Sequence, residues 1–201
     1  MSARDDILSS IRARTRPKAP KPQAYRAPSP SSDLFAGFID KAQAVFADVQ
    51  ILDREDQIPT AIAEILRARN LAATIHLPPE SDLIELLADG RLTIAREPPG
   101  PDDPAVTRAP LAIAETGTLV QPARAASPAS WHFRPGFEIA ILHEKTIVAH
   151  FEDALAKLRS AGALPTTLNL ITGPSRTGDI EQTMELGAHG PKALAILIVR
   201  D

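Results

Sequence analysis

The sequence predicts an α/β fold: a layered, parallel-type sheet with helices on both faces. Three observations carry this. Helical and strand-like apolar patterns alternate from residue 33 onward, the last run ALAILIV (193–199) is wholly apolar, and the chain has no cysteine to staple a smaller fold. Its 201 residues are 44% hydrophobic, enough for one sizeable core. Aromatics make up only 4%, so that core must rest on Ala, Leu, Ile and Val.

The first element read is a short amphipathic helix over 2–14, with Ser2 to start it and Ile7, Leu8 and Ile11 on one face. A proline-rich stretch, TRPKAPKPQAYRAPSPSS, follows and favours an extended chain. Residues 1–31 hold seven Lys/Arg and two Asp/Glu, although the whole chain has a net charge of −3. The arm reads as a solvated linker, with a docking arm as the alternative. Residues 1–32 are therefore set apart as helix and linker, and 33–201 as the α/β domain.

Within that domain a helix is expected over 34–47 and a strand over VQIL (49–52). Pro59 suits the first turn of the next helix, and Asn70 its C-terminal cap. AATIHL (72–77) reads as a strand, Ser81 caps DLIELLADG, and LTIA (92–95) is a third strand. Residues 97–137 lack clear periodicity, but LAIAETGTLVQP within them suits a hairpin around Thr-Gly. Strands are then expected at 138–142, 167–172 and 193–199, with helices at 150–162 and 178–187 between them.

Several function classes are disfavoured at this level. The negative net charge argues against a dedicated nucleic-acid or membrane-surface binder. Without cysteine the chain cannot ligate an iron–sulfur cluster by thiolates. The five histidines (76, 132, 143, 150, 189) show no metal-ligand spacing, so no metal is expected. The opening residues lack a secretory h-region, and no apolar run approaches the ~20 residues of a membrane span, so a cytoplasmic location is expected.

Three segments could carry chemistry. Gly173-Pro174-Ser175-Arg176-Thr177-Gly178 combines glycines, hydroxyls and a cation before an expected helix, and would make an anion pocket from the helix N-terminus. It reads equally as a capped turn with Arg176 paired to Asp179 or Glu181. Gly187-Ala188-His189-Gly190-Pro191-Lys192 places His189 in a turn, as a general acid or base or as a histidine satisfied by backbone. Glu115-Thr116-Gly117-Thr118 sets a carboxylate and two hydroxyls about a glycine. Glu115 there could move a proton, accept an acyl group, or only hold the hairpin. The candidate catalytic pair is thus Glu115 and His189, and the candidate ligand-binding set is Thr116, Gly117, Thr118, Gly173, Ser175, Arg176, Thr177 and Gly190.

Taken together, AETGTLV (114–120), GPSRTGDIE (173–181) and GAHGPKALAILIV (187–199) closely resemble the LUD-domain family, specifically its lactate utilization protein C group. The opening RDDILSSIRA is similar to that family's N-terminal helix, so the resemblance spans nearly the whole chain. It implies a NagB/RpiA/CoA-transferase-like fold and a part in oxidising L-lactate to pyruvate. It also implies two partner subunits that carry iron–sulfur clusters, this chain holding no cofactor and being no redox catalyst on its own. One departure stands out: QPARAASPASWHFRPGFEIAIL, with Trp131 and His132, replaces a more apolar stretch of the relatives. The alternative reading is a stand-alone enzyme of the same fold, acting on a sugar phosphate or acyl-CoA; a third is a structural or regulatory adaptor.

Overall fold

The computed structural model describes residues 3–13, 33–78, 80–124, 127–162, 164–178, 184–187 and 190–200. Its centre is a six-stranded parallel sheet made of β1 (Asp48–Leu52), β2 (Thr74–His76), β3 (Thr93–Ala95), β4 (Pro104–Ala109), β7 (Phe137–His143) and β12 (Ala193–Val199). The spatial order is β1-β12-β7-β4-β2-β3. β7 and β12 pair along their full length, from Phe137 opposite Ala193 to His143 opposite Val199. Both strands are apolar almost throughout because helices or a second sheet cover each face.

One face is covered by α3 (Ile58–Ala68) and the single turn α4 (Ile84–Leu87), whose Ile58, Ile62, Ile65, Leu66 and Leu87 pack on Ile75, Val106, Ile139, Ile141 and Leu197. α3 begins with Pro59 in its first turn. It ends as expected at Asn70, which takes φ 54° while Leu71 N–H reaches Leu66 C=O at 2.9 Å and Asn70 N–H reaches Arg67 C=O at 3.1 Å. That pair of hydrogen bonds is the Schellman ending, and it satisfies carbonyls the helix would otherwise strand.

The opposite face carries α2 (Leu34–Ala44) and a second sheet of β5 (Leu111–Ile113), β6 (Thr118–Pro122), β8 (Ile147–Val148) and β9 (Leu168–Ile171). Asp33 starts α2 by accepting the Ala36 N–H at 2.9 Å. The second sheet is mixed, in the order β8-β5-β6-β9, with β5 and β6 forming the expected hairpin around Gly117. Its outer face is closed by α6 (Phe151–Ser160), through Ala154 and Leu158 against Leu111, Ile113 and Val120. The remaining short helix is α5 (Ser130–Phe133), and α1 (Ala3–Ala13) buries none of its residues.

The α/β reading therefore holds, with four corrections. The strand at 167–172 does not extend the parallel sheet; as β9 it runs antiparallel to β6 in the second sheet. The segment DLIELLADG yields one helical turn, because Gly90 and the Asp89–Arg91 contact end it early. Residues 97–137, read as irregular, contain β4, which lies between β7 and β2. Pro104 is tolerated as its first residue, and its polar Thr107 and Arg108 hid the pattern.

The fourth correction is the helix expected at 178–187. β10 (Arg176–Gly178) instead pairs antiparallel with β11 (Met184–Leu186), Arg176 facing Leu186 and Gly178 facing Met184. Thr177, Gly178, Ile180 and Thr183 are poor helix formers, and the β-branched ones favour extended chain. Residues 179–183 of that expected helix lie outside the described residues.

Candidate functional site

The glycines of two predicted segments are explained by packing. A Cβ on Gly117 would come within 2.4 Å of Ala42 N and 2.6 Å of Lys41 C, and one on Gly173 within 2.3 Å of Val45 O. Both have positive φ, 66° and 79°. The C-terminal end of α2 thus crosses both turns at backbone distance, which only glycine permits. Beside them Thr116, Thr118 and Thr172 form a hydroxyl chain with two 2.7 Å links.

Glu115 accepts the Phe151 N–H at 3.3 Å and lies 2.7 Å from His150 Nδ1. It therefore holds the N-terminus of α6, where a carboxylate is favoured by the helix dipole. Arg176 lies in β10, and among the described residues no helix begins after it. Its guanidinium stacks over Phe46 at 3.6 Å from the ring centroid. Ser175 N–H donates to Pro191 C=O at 2.8 Å, and Gly187 N–H to Ser175 C=O at 3.2 Å. Gly173, Ser175 and Gly190 do come together, lining with Thr172 and His132 a shallow cavity of about 180 Å3. Thr177 lies in β10, and His189 falls outside the described residues.

A second cavity, of about 170 Å3, opens beside β4 and β6 where β2 and β4 end. Carboxyl ends of strands are where open α/β sheets gather ligands. Ser81, Thr107, Arg108, Gln121, Arg124 and Ser127 are among its lining residues. Arg108 is neutralised there: its Nη2 lies 2.7 Å from Glu55, its Nε 2.8 Å from Asp82, and its Nη1 2.7 Å from His143 Nε2. The hydrogen bond from Arg108 holds the Glu55 carboxyl below its usual value; partial burial opposes this, and the charges of Arg108 and His143 add to it. Arg124, by contrast, makes no ion pair among the described residues.

Behind the cavity wall is a buried polar network. Glu138 and His132 are both fully buried. Glu138 Oε1 accepts the Thr107 hydroxyl at 2.7 Å and lies 2.7 Å from His132 Nδ1. His132 Nε2 in turn lies 3.0 Å from Ser127 Oγ. Gln121 Nε2 reaches Thr107 Oγ1 at 3.4 Å, while its Oε1 has no partner among the described residues. Gln121 is a fully buried side chain beside the cavity, and its Oε1 is left without a hydrogen-bond donor.

None of Thr107, Arg108, Gln121, Arg124, Ser127 or Glu138 was among the sequence candidates. One signal was readable: Glu138 opens the apolar run EIAIL, and a carboxylate inside a doubly covered strand requires a partner. His132, six residues earlier, is that partner.

Residues 103–199 match the family model of the LUD domain. This segment, just under half of the chain, is similar to the LUD domain. Similar proteins include lactate utilization protein C of Geobacillus kaustophilus (strain HTA426), 36% identical over 95 residues, covering 45% of this chain and 40% of that one. Those of Macrococcus caseolyticus (strain JCSC5402) and Shouchella clausii (strain KSM-K16) are 36% and 32% identical, covering 48% and 49% of this chain and 43% and 44% of theirs. The match thus spans less than half the length of these curated relatives. A DUF162 family protein from Deinococcus radiodurans, known from its crystal structure, shares the fold with a TM-score of 0.60 at 23% identity, over 83% of this chain and 96% of that one. Among the described residues no helix is long and apolar enough to cross a membrane.

The LUD segment contains the cavity at Gly173 and Ser175, the hydroxyl chain and the Ser127–His132–Glu138 row, while the cavity beside β4 and β6 also draws on Pro78, Glu80, Ser81 and Asp82. It excludes α2, whose backbone nonetheless shapes the two glycine turns.

Proposed function

We propose that this LUD-domain chain serves lactate utilization as a cluster-free subunit that binds a small organic anion. The observation that carries the reading is the LUD-domain match, together with the similarity to relatives named lactate utilization protein C. The cavity at the ends of β2 and β4 supports it chemically. Arg124 offers a guanidinium suited to a carboxylate, and Gln121 Oε1 an acceptor suited to a hydroxyl two bonds away. A 2-hydroxy acid carries both groups, and a cavity of about 170 Å3 is of the right order for so small a molecule. Electron transfer is assigned to partner subunits with iron–sulfur clusters, since the chain has no cysteine to ligate one.

The test has two arms. Tagged full-length chain captured from lactate-grown cells is expected to bring iron–sulfur proteins with it, and the assembly to oxidise L-lactate. Calorimetric titration of the chain with L-lactate is expected to give binding that Arg124→Gln weakens by about tenfold or more, the scale of one lost charge-assisted hydrogen bond. Capture of no such proteins, together with unchanged affinity in the variant, would overturn the reading.

A further inference from the structure

We propose that Ser127, His132 and Glu138 form a nucleophile–base–carboxylate relay, making Ser127 an acyl acceptor for a small ester or thioester in the cavity beside β4 and β6. The spacing carries this. Ser127 Oγ is 3.0 Å from His132 Nε2, and His132 Nδ1 is 2.7 Å from Glu138 Oε1. The hydroxyl and the carboxylate therefore sit on opposite nitrogens of one imidazole, as a relay requires.

The hydrogen-bond directions follow from the chemistry of the groups. Thr107 donates its hydroxyl proton to the same Glu138 oxygen, which fixes that oxygen as an acceptor. His132 accordingly carries its proton on Nδ1 and presents Nε2 as the acceptor for the Ser127 hydroxyl. Both His132 and Glu138 are fully buried, and each is held by an element of the LUD segment, α5 and β7. Ser127 is the member that reaches the cavity. A buried network built only for stability has no need to end in a partly exposed hydroxyl at a cavity wall.

The step balances without a cofactor. Ser127 Oγ forms a bond to the acyl carbon as its proton passes to His132 Nε2, and the carbonyl pair moves onto oxygen. The imidazolium lies against the Glu138 carboxylate, and the oxyanion develops in the cavity that Arg124 lines. Collapse breaks the bond to the alcohol or thiol leaving group, which takes the proton from Nε2. Water, or a second acceptor, then releases the acyl group by the reverse path.

Glu138 acts through His132 and is a positioning residue. The inference shares the cavity of the functional reading above, but not its ligand. Lactate binding and partner capture can therefore fail while Ser127 reacts, and the reverse can also occur.

A fluorophosphonate probe on the native full-length chain, followed by intact mass and peptide mapping, tests the relay. One adduct per chain on Ser127 is expected, absent in Ser127→Ala. It should form about 100-fold faster or more than on the urea-unfolded chain, the smaller end of what a positioned general base contributes. His132→Asn and Glu138→Gln should slow labelling by a similar factor. In Glu138→Gln the pH profile of labelling should also change, which a purely structural role would not produce. Where either variant fails to fold, the native-to-unfolded ratio of the wild type still decides. Labelling of the native chain no faster than of the unfolded one, or at any residue other than Ser127, would overturn the proposal. Equal rates in a folded Glu138→Gln variant would do so too.

Discussion

The guanidinium of Arg176 lies over the ring of Phe46 at 3.6 Å, and Phe46 itself adopts a left-handed backbone with φ 69°. Phe46 follows the last turn of α2, where Ala47 N–H closes on Ala42 C=O at 3.0 Å. A bulky residue in that conformation is disfavoured, by about 1–2 kcal/mol. The stack offsets part of that cost and ties β10 to the end of α2. Arg176→Ala is therefore expected to lower stability by roughly 0.5–1 kcal/mol. A double-mutant cycle with Phe46→Ala, followed by urea unfolding, checks it; additive losses would refute the coupling.

The turns at Gly117 and Gly173 give a larger effect. At Gly117 an added methyl would meet the backbone of Lys41 and Ala42, and neither atom belongs to a side chain that could swing away. The left-handed φ adds strain of its own. Gly117→Ala is expected to cost about 1–3 kcal/mol or more. Gly90→Ala, with nothing within 4 Å of the added methyl but a φ of 88°, is the control for backbone strain alone. Similar losses at the two positions, in thermal melts, would remove the packing explanation.

These glycines also mark how far the sequence could be read. The hairpin at Thr116-Gly117, the Asn70 cap and the last strand all lay in local signals: turn chemistry, capping and unbroken apolar runs. What could not be read was long-range. A glycine pinned by a helix distant in the chain looks the same in sequence as one bent around a ligand. β4 escaped because Thr107 and Arg108 find their partners in Glu138, Glu55 and Asp82, all distant in the chain. The relay at Ser127 escaped for the same reason, since its members sit on a loop, a single helical turn and a strand.

Glu138 should be one of the costlier buried polar side chains to truncate. Its Oε1 takes hydrogen bonds from Thr107 and His132 within a fully buried setting. Glu138→Ala strands both donors, at about 1–3 kcal/mol each. A loss of more than about 2 kcal/mol is expected by urea unfolding, against far less for Glu138→Gln, which keeps the volume and one acceptor. Equal effects of the two variants would contradict the network.

Acid should loosen the carboxyl ends of β1 and β4 through Glu55. The hydrogen bond from Arg108 holds its carboxyl below the ordinary value of 4.5. A carboxyl depressed in the folded state contributes stability that is fully present above its unfolded value and is lost as pH falls through the lower folded value. Glu55 is half exposed, so solvent screens the pair and the effect is modest. The melting-temperature gap between wild type and Glu55→Gln should therefore be widest at neutral pH and narrow as pH falls below 4.5 through the lower folded value. A gap that stays constant from pH 7 to pH 3 would mean that Glu55 acts through packing or hydrogen bonding alone.

The boundary before residue 33 yields the last prediction. α1 buries none of its residues, and Ile7, Leu8 and Ile11 are 61%, 37% and 62% exposed. Among the described residues the three core clusters draw on residues from 34 onward. We propose that residues 33–201 fold as a unit without the arm, because apolar area removed from water is the main term that stabilises the domain and α1 adds none to it. Asp33, which caps α2, is the first residue this unit must retain. A chain starting at Asp33 should melt within about 1–2 °C of the full chain, the shift expected when well under 1 kcal/mol is lost. If melting drops further, α1 or the linker packs on the domain. If melting holds while capture of partner proteins is lost, the apolar stripe of α1 is a contact made to another chain.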